Sequence, residues 1–256
     1  MKQVVEVRGV RIGEGIPKIC VPVVGRTREE ILAAAEALAE VPHDVIEWRA
    51  DFFEDVFAFS RVEELLAGLR RAIGDVPLLF TFRTKKEGGE REIAPENYAE
   101  LNRRVCGTHL ADLVDAELFT GDALVEGVIR EAHACGVKVI VSSHDFQKTP
   151  EKAELLRRLL RMLERGADIP KLAVMPRKTA DVLTLLAATR EMAEEHADRP
   201  IITMSMKGTG LISRLCGEVF GSAMTFGAAG QASAPGQMDA GALRTVLELL
   251  HEGMQE

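Results

Sequence analysis

Residues 18–39, KICVPVVGRTREEILAAAEALA, contain the first complete unit of the fold. The first seven residues are mostly apolar and rich in β-branched side chains, which predicts a short buried strand. Thr27 and Glu30 then stand at the spacing of a capping box, in which a threonine caps a helix and a glutamate returns to the cap. Apolar side chains follow on one helical face, at Ile31, Leu32, Ala35, Leu38 and Ala39. The segment therefore predicts a strand followed directly by a helix.

This strand-then-helix unit recurs along the whole chain. Further apolar runs predict strands over residues 44–49, 77–83, 111–116, 137–143, 169–175, 200–206 and 222–226. Helical patterns follow over residues 62–73, 95–106, 122–135, 150–165, 179–195 and 239–251, with a weaker and shorter one over 211–218. The units have similar lengths, and no change of composition marks a domain boundary. We therefore predict a single domain over residues 1–256.

Eight β/α units fit one closed barrel. Such repetition demands a parallel sheet, and a (β/α)8 TIM barrel takes about 250 residues as a single domain. An open doubly wound sheet is the alternative, but its usual nucleotide markers, a GxGxxG after the first strand or a P-loop, are missing. Residues 4–13 alternate apolar and polar side chains. They predict a short N-terminal β-hairpin, within residues 1–16, that caps the N-terminal end of the barrel.

Composition excludes several classes of protein. The net charge is −8, and lysine and arginine are scattered, which argues against a nucleic-acid partner. No apolar run approaches the length of a membrane-spanning helix, and the N-terminus lacks the apolar core of a signal peptide, so we expect a cytoplasmic protein. The four cysteines form no CxxC pair and have no histidine at a ligand spacing. We therefore expect free thiols and no metal site.

Charged residues near the C-terminal ends of strands need an explanation, because barrel strands are buried on both faces and the active site lies at those ends. Glu47, Arg49 and Asp51 are spaced by two and share one face of the second strand. They form an internal ladder of ion pairs or a substrate-facing carboxylate with orienting neighbours, and the two interpretations are compatible. Arg83 ends the third strand, where its planar fork can bind hydroxyl or carboxylate oxygens. Asp115 and Glu117 are interpreted as mainly structural, as caps for the helix that begins at residue 122.

A histidine and a lysine are the candidates for chemistry. Among six histidines, His144 is the one that directly follows the C-terminal end of a strand, which suits an acid/base group. Lys171 lies inside an apolar strand and alternates with small Ala173, so it can reach up the barrel. A lysine buried near other cations can lose its proton and act as a nucleophile. The alternative is a lysine that extends to solvent at the bottom of the barrel.

The seventh strand ends in glycines that could bind a phosphate, as loops after strands seven and eight often do in barrels. Arg214 follows them and could hold an anion instead. A buried lysine, a histidine, several arginines and at least two glutamates, without a set of metal ligands, suit Schiff-base chemistry on a carbonyl substrate that carries an anionic group.

Eight stretches in the right order make the chain resemble the type I 3-dehydroquinate dehydratases. They are EWRAD (47–51), TFRTKKEGG (81–89), ELFTGD (117–122), SSHDF (142–146), PKLAVMP (170–176), MSMKGTGLISR (204–214), TFG (225–227) and ASAPGQ (232–237). The resemblance implies a TIM barrel that forms a homodimer and needs no metal or organic cofactor. It also implies the dehydration of 3-dehydroquinate to 3-dehydroshikimate in the shikimate pathway.

The resemblance assigns a role to each matching residue. It implies that Lys171 forms the imine, that His144 is the general acid/base and that Glu87 orients His144. It further implies that Glu47, Arg49 and Arg83 bind the ring hydroxyls, and that Arg214, Ser233 and Gln237 bind the carboxylate and close the site. One departure stands out, because Gly230 and Gln231 replace a lysine that many members carry just before ASAPGQ.

Residues 228–237 are predicted to form a lid, because glycines permit hinge conformations and the small side chains between them offer little to anchor the loop. A rigid connection to the last helix is the alternative. Two other functions remain open at this point. One is another class I aldolase-type Schiff-base lyase, which usually needs a phosphate site. The other is a catalytically silent barrel that binds a small acid.

Overall fold

The strands and helices alternate in a computed structural model that describes residues 3–230 and 234–255. Two short strands, β1 (Val5–Val7) and β2 (Val10–Ile12), come first. The barrel strands are β3 (Lys18–Val23), β4 (Val45–Arg49), β5 (Leu78–Thr81), β6 (Leu113–Glu117), β7 (Lys138–Asp145), β8 (Ile169–Val174), β9 (Ile202–Ser205) and β10 (Met224–Phe226). The α-helices are α1 (Arg28–Ala37), α2 (Phe59–Ile73), α3 (Pro95–Gly107), α4 (Asp122–Ala134), α5 (Lys152–Glu164), α6 (Thr179–Glu191), α7 (Ile212–Leu215), α8 (Gly217–Phe220) and α9 (Ala240–Met254).

The eight barrel strands form one parallel sheet in the order β10-β3-β4-β5-β6-β7-β8-β9. The seam between β9 and β10 is closed by fewer ladder bonds than the other junctions. Ile201 bridges Ser222, and the amide of Ala223 donates to the carbonyl of Ile201 at 2.8 Å. The side-chain hydroxyl of Ser222 then accepts from the amide of Thr203 at 3.0 Å. The predicted barrel is therefore confirmed, and the open sheet is excluded.

The N-terminal hairpin closes the bottom of the barrel, as predicted. β1 pairs antiparallel with β2, and its buried side chains continue the apolar filling of the barrel. This cluster contains Val5, Val7, Ile12, Cys20, Val45, Leu79, Leu113, Ile140, Ile169, Ala173, Ile202, Met204, Met224 and Phe226. These side chains fill the barrel interior up to the C-terminal ends of the strands, where a barrel carries its active site.

Helix positions follow from local sequence signals. The predicted capping box is present at α1, where the hydroxyl of Thr27 accepts from the amide of Glu30 at 3.2 Å. α9 begins after Asp239, whose carboxylate accepts from the amide of Ala242 at 3.0 Å. Two boundaries differ from the prediction. The segment 211–218 divides into two short helices, and the helix expected over 179–195 becomes a π-turn after Glu191.

The end of β7 also differs from the prediction. The strand continues to Asp145, so His144 lies within it opposite Ala173 rather than just past its end. The polar run Ser-Ser-His-Asp does not stop the strand, because a parallel ladder uses backbone groups and is indifferent to polar side chains. No helix in the described part of the chain has the length and apolar character needed to cross a bilayer.

Candidate active site

A cavity at the C-terminal ends of the strands collects the predicted site residues. Its lining includes Glu47, Arg49, Arg83, Glu87, His144, Lys171, Arg214 and Gln237, together with Gly88, Phe146, Ala173, Met204, Met206, Phe226, Ala234 and Pro235. Of the nine predicted residues, Ser233 lies outside the described residues. The others come from β4, β7, β8, α7 and the loops that follow β5 and β10, so the barrel brings together side chains that are far apart in sequence.

Lys171 extends into this cavity from the middle of β8. Its side chain is buried, and its Nζ lies 4.1 Å from the centre of the Phe226 ring. Two carboxylates stand close to the same atom, Glu47 Oε1 at 3.9 Å and Asp115 Oδ2 at 3.8 Å. Small Ala173 follows two residues later on the same face and leaves room above the amine. The alternative that Lys171 extends to the bottom of the barrel is therefore wrong.

His144 is held by Glu87 at two points. Both its backbone amide and its ring Nδ1 lie 2.9 Å from Glu87 Oε2. An oxygen that already accepts one N–H favours the tautomer in which Nδ1 also donates, which leaves the Nε2 lone pair for a substrate proton. Burial, and then the nearby cations Arg83, Lys171 and Arg49, lower the pKa of His144 well below its usual range. The imidazole is therefore neutral near pH 7 and is suited to act as a base.

Two glycines make it possible for Glu87 to reach His144. Glu87 ends a short 3-10 turn, and Gly88 leaves that turn with a φ of 85°. A Cβ on Gly89 would stand 1.9 Å from the carbonyl oxygen of Arg83. The TFRTKKEGG stretch thus needs glycine at position 89 because the loop folds back against the end of β5.

Arg49 and Glu47 share a face of β4 but have different partners. Arg49 donates through Nε and Nη2 to the two oxygens of Asp51, each at 2.8 Å. Asp51 also accepts from the backbone amides of Arg83 and Glu90. Glu47 instead accepts from Thr81 Oγ1 at 2.9 Å. The two interpretations of this strand therefore combine, since Asp51 orients Arg49 by an ion pair while Glu47 faces the cavity.

Arg83 is surrounded by two carboxylates that were not predicted to belong to the site. Its Nη1 lies 2.8 Å from Glu117 Oε1, and its Nη2 lies 2.9 Å from Asp115 Oδ2. Both acids are buried. The interpretation of Asp115 and Glu117 as helix caps is wrong, because α4 begins after Gly121 without a side-chain cap. The sequence did contain a signal that both acids lie inside the barrel, because Leu113, Asp115 and Glu117 alternate along β6 and share one face of the strand.

Arg214 is a buried cation that has no carboxylate within 4.0 Å among the described residues. Its Nη2 donates to the carbonyl of Pro235 at 3.3 Å, and its Nη1 lies 3.5 Å from Met204 Sδ. Burial lowers its pKa to about 10, so it stays charged at neutral pH. A guanidinium that is desolvated without a counter-ion is suited to receive an anion from a ligand.

Comparison with known proteins agrees with this geometry. The family model described as type I 3-dehydroquinase matches residues 19–254. The chain belongs to the type I 3-dehydroquinase family. A 3-dehydroquinate dehydratase of Clostridioides difficile is 54% identical over 99% of this chain and 100% of its own length. One from Listeria monocytogenes is 56% identical over 97% of this chain and 98% of its own. The predicted family and its enzymatic nature are thereby confirmed.

Solved structures agree with the fold of this 3-dehydroquinase family member. The type I enzyme of Clostridium difficile, solved with covalent modified comenic acid, has a TM-score of 0.97 at 55% identity and covers 99% of this chain and 100% of its own. The enzyme of Geobacillus kaustophilus has a TM-score of 0.95 at 41% identity and covers 98% and 99%. Similarity at this level extends over the whole barrel, including the hairpin.

The described part of the 228–237 loop packs against the loop after β9. The amide of Lys207 donates to the carbonyl of Pro235 at 3.2 Å. A Cβ on Gly236, where φ is 81°, would stand 2.6 Å from the carbonyl oxygen of Lys207. Gln237 Oε1 accepts from the amide of Ala234 at 3.3 Å. Ser233 and the departure at Gln231 fall outside the described residues, and so does the middle of the predicted lid.

Glycines after β9 have a structural reason as well. A Cβ on Gly210 would stand 2.4 Å from the backbone of Ser205, so this glycine allows the loop to pack on the strand end.

The four cysteines are free thiols, as expected, namely Cys20, Cys106, Cys135 and Cys216. Within residues 3–230 and 234–255, no three His, Cys, Asp or Glu side chains converge in a way that could hold a metal ion.

Proposed function

We propose that the chain dehydrates 3-dehydroquinate to 3-dehydroshikimate through an imine on Lys171. One observation supports this most strongly. A buried lysine, a histidine oriented by a glutamate and an arginine without a carboxylate partner in the described structure line the same cavity. The dehydratase activity named for the relatives supports the overall reaction, and the three side chains supply the nucleophile, the base and the anchor that the reaction needs.

The first step makes the alpha proton acidic enough to remove. The unprotonated amine of Lys171 attacks the ketone carbon, and the ketone oxygen leaves as water after gaining protons. The nitrogen remains bonded to carbon as a cationic iminium that draws electrons from the alpha carbon. The cavity is buried beneath the strand ends, so the cation forms next to Glu47 and Asp115 rather than in bulk water.

His144 then moves the protons. Its neutral imidazole removes the alpha proton and leaves a neutral enamine. The imidazolium so formed donates that proton to the departing hydroxyl, which leaves as water, and the conjugated iminium returns. A water molecule hydrolyses this iminium to the product ketone and releases the amine of Lys171. Glu87 keeps the ring in one orientation through both transfers and stabilises its charged form.

Substrate orientation requires an anchor remote from the reacting carbon. Arg214 binds the carboxylate by a charge-assisted contact, and Gln237 and Ser233 add hydrogen bonds there. Glu47 and Arg49 bind ring hydroxyls from the opposite wall. Arg83, which the resemblance assigns to the same task, acts chiefly through the carboxylates that it holds, because its two terminal nitrogens are already engaged by Asp115 and Glu117.

The test is reductive trapping. Borohydride added with 3-dehydroquinate or 3-dehydroshikimate should add a ligand mass to the peptide that contains Lys171, and Lys171→Met should abolish the adduct. A label on Lys207 would refute the assignment. Turnover should survive EDTA, whereas loss with EDTA and rescue by a divalent ion would refute the metal-free mechanism.

The same experiment separates the alternatives. In turnover without borohydride, an aldolase-type lyase would cleave a carbon–carbon bond and release two organic products. A silent barrel would bind the acid without forming an adduct. Trapping together with dehydroshikimate release would therefore exclude both.

We also propose that the chain forms a homodimer. Exposed apolar side chains on the neighbouring helices α7, α8 and α9, namely Ile212, Val219, Leu249, Leu250 and Met254, support a partner surface there. Burying such a surface favours association. Light scattering should give twice the monomer mass. If this surface forms the interface, Leu249→Glu should lower the measured mass to that of the monomer.

A further inference from the structure

Asp115 is fully buried at the centre of the barrel. It lies in the middle of β6 and is 0% exposed. The resemblance to the dehydratase motifs assigns no role to it. Tyr98 fixes the backbone around it, since the Tyr98 hydroxyl donates to the carbonyl of Asp115 at 3.0 Å and accepts from the amide of Glu117 at 3.0 Å. The backbone at Asp115 is therefore held by the sheet and by a buried side chain.

The two oxygens of Asp115 have different surroundings. Oδ1 accepts from the hydroxyl of Ser142 at 2.7 Å. Oδ2 lies 2.9 Å from Arg83 Nη2 and 3.8 Å from Lys171 Nζ. In the described structure Oδ2 makes no hydrogen bond of good geometry. One oxygen is thus anchored, while the other faces both cations and keeps lone pairs for a charge that develops at the amine.

Asp115 is ionised in spite of its burial. Burial alone would raise the pKa of Asp115, but Arg83 and then Lys171 outweigh it and lower the pKa. A fixed charge in a buried site is screened far less than one at the surface. A preorganised charge also needs no reorganisation when the reaction proceeds.

We propose that Asp115 is the counter-ion of the iminium nitrogen. This inference rests on the proposed imine chemistry. The amine, the ketone and one proton give an iminium and water, so the nitrogen bonds to carbon while it carries a positive charge. Loss of the alpha proton to His144 removes that charge, and departure of the hydroxyl as water restores it. The fixed carboxylate lowers the free energy of each cationic state and keeps Nζ in place between them.

Neighbouring carboxylates are less suited to this task. Glu47 stands 3.9 Å from Nζ, but its Oε1, the oxygen nearest the amine, already accepts from Thr81. Glu117 binds the same arginine and the backbone and hydroxyl of Thr84. It makes no ion pair with Lys171. Glu117 is therefore a matched control, since both acids neutralise Arg83 and only Asp115 also contacts the reacting nitrogen.

The test compares Asp115→Asn with Glu117→Gln. Asp115→Asn should lower kcat about 100-fold, as the loss of one preorganised electrostatic partner does, with KM within about threefold. The fraction of enzyme trapped by borohydride at saturating substrate should fall in parallel. Glu117→Gln should leave the trapped fraction at the wild-type level, because the charge beside Nζ remains.

Three results would overturn the proposal. They are wild-type trapping and turnover in Asp115→Asn, an equal loss of trapping in Glu117→Gln, and a change confined to KM. If Asp115→Asn does not fold, Ser142→Ala decides. It releases the anchored oxygen of Asp115 and also removes an acceptor of Arg83 Nη1, but it leaves both carboxylates of the cluster in place. Ser142→Ala should lower kcat and the trapped fraction together, and full retention of both would refute the role. If wild-type protein gives no adduct at Lys171, it is the proposed function that fails.

Discussion

His144 and Glu87 meet at a single oxygen atom. The backbone amide and the ring Nδ1 of His144 both lie 2.9 Å from Glu87 Oε2, so one carboxylate joins β7 to the loop after β5 and fixes the imidazole at the same time. Rotation of the ring would break a contact that the backbone already holds in place. The base is thus positioned by two separate elements of the barrel.

Glu87→Gln should therefore impair the proton transfers more than substrate binding. The amide can still fill the space, but it cannot stabilise the imidazolium that forms when the alpha proton is removed. We expect kcat to fall about 10- to 100-fold, within the usual range for acid/base catalysis, with KM changed by less. Steady-state kinetics with 3-dehydroquinate checks this. An effect on KM alone would show that Glu87 binds substrate instead of orienting the histidine.

His144 should remain neutral at pH values where an ordinary histidine is charged. Burial and the cations Arg83, Lys171 and Arg49 lower its pKa, so its protonation begins only below the usual value of about 6.5. Because the neutral ring is the base, His144 can still accept a proton as the pH falls toward that lowered pKa. Below the lowered pKa the ring is protonated and can no longer act as a base. Ring ¹⁵N spectra over pH, with His144→Ala to assign the signals, measure the midpoint. A midpoint above 6.5 would contradict the expectation.

The barrel was predictable because it rests on local periodicity. Part of the cavity was predictable in the same way, whereas Glu87, Ser233 and Gln237 were assigned only by the resemblance. The capping box at Thr27 and the alternation of Lys171 with Ala173 needed no tertiary information. Asp115 was misjudged although the same alternation applied to it, because acids near a helix start also suit capping. The β9–β10 seam was not predictable, since the hydroxyl of Ser222 replaces a backbone partner there, and side-chain hydroxyls show no period in sequence.

Arg214→Ala should weaken substrate binding severely. The guanidinium is buried, and no carboxylate of the described chain offsets its charge, so the substrate carboxylate is its expected counter-ion. Removing one partner of a buried charged pair costs about 2–5 kcal/mol. Calorimetric binding of a substrate analogue, measured with and without its carboxylate, isolates the contact. Equal losses of affinity for both analogues would show that Arg214 does not recognise the carboxylate.

Tyr98→Phe should destabilise the protein without disabling catalysis. The hydroxyl of Tyr98 donates to the carbonyl of Asp115 and accepts from the amide of Glu117, each at 3.0 Å. The ladder between β5 and β6 pairs Leu79 with Leu113 and Phe80 with Val114. The hydroxyl therefore forms hydrogen bonds with backbone groups of β6 that lie beyond those pairs. Phenylalanine keeps the ring packed edge-on against Phe82 and leaves one amide and one carbonyl buried without that partner. Unsatisfied groups of this kind cost about 1–3 kcal/mol each.

Urea unfolding of Tyr98→Phe should show a lower free energy of unfolding with an unchanged m value. Since both bonds go to the backbone, and Arg83 still holds the two carboxylates, kcat should stay within about fivefold of wild type, a change of about 1 kcal/mol. A 100-fold loss of kcat at full stability would show instead that the hydroxyl acts in the site.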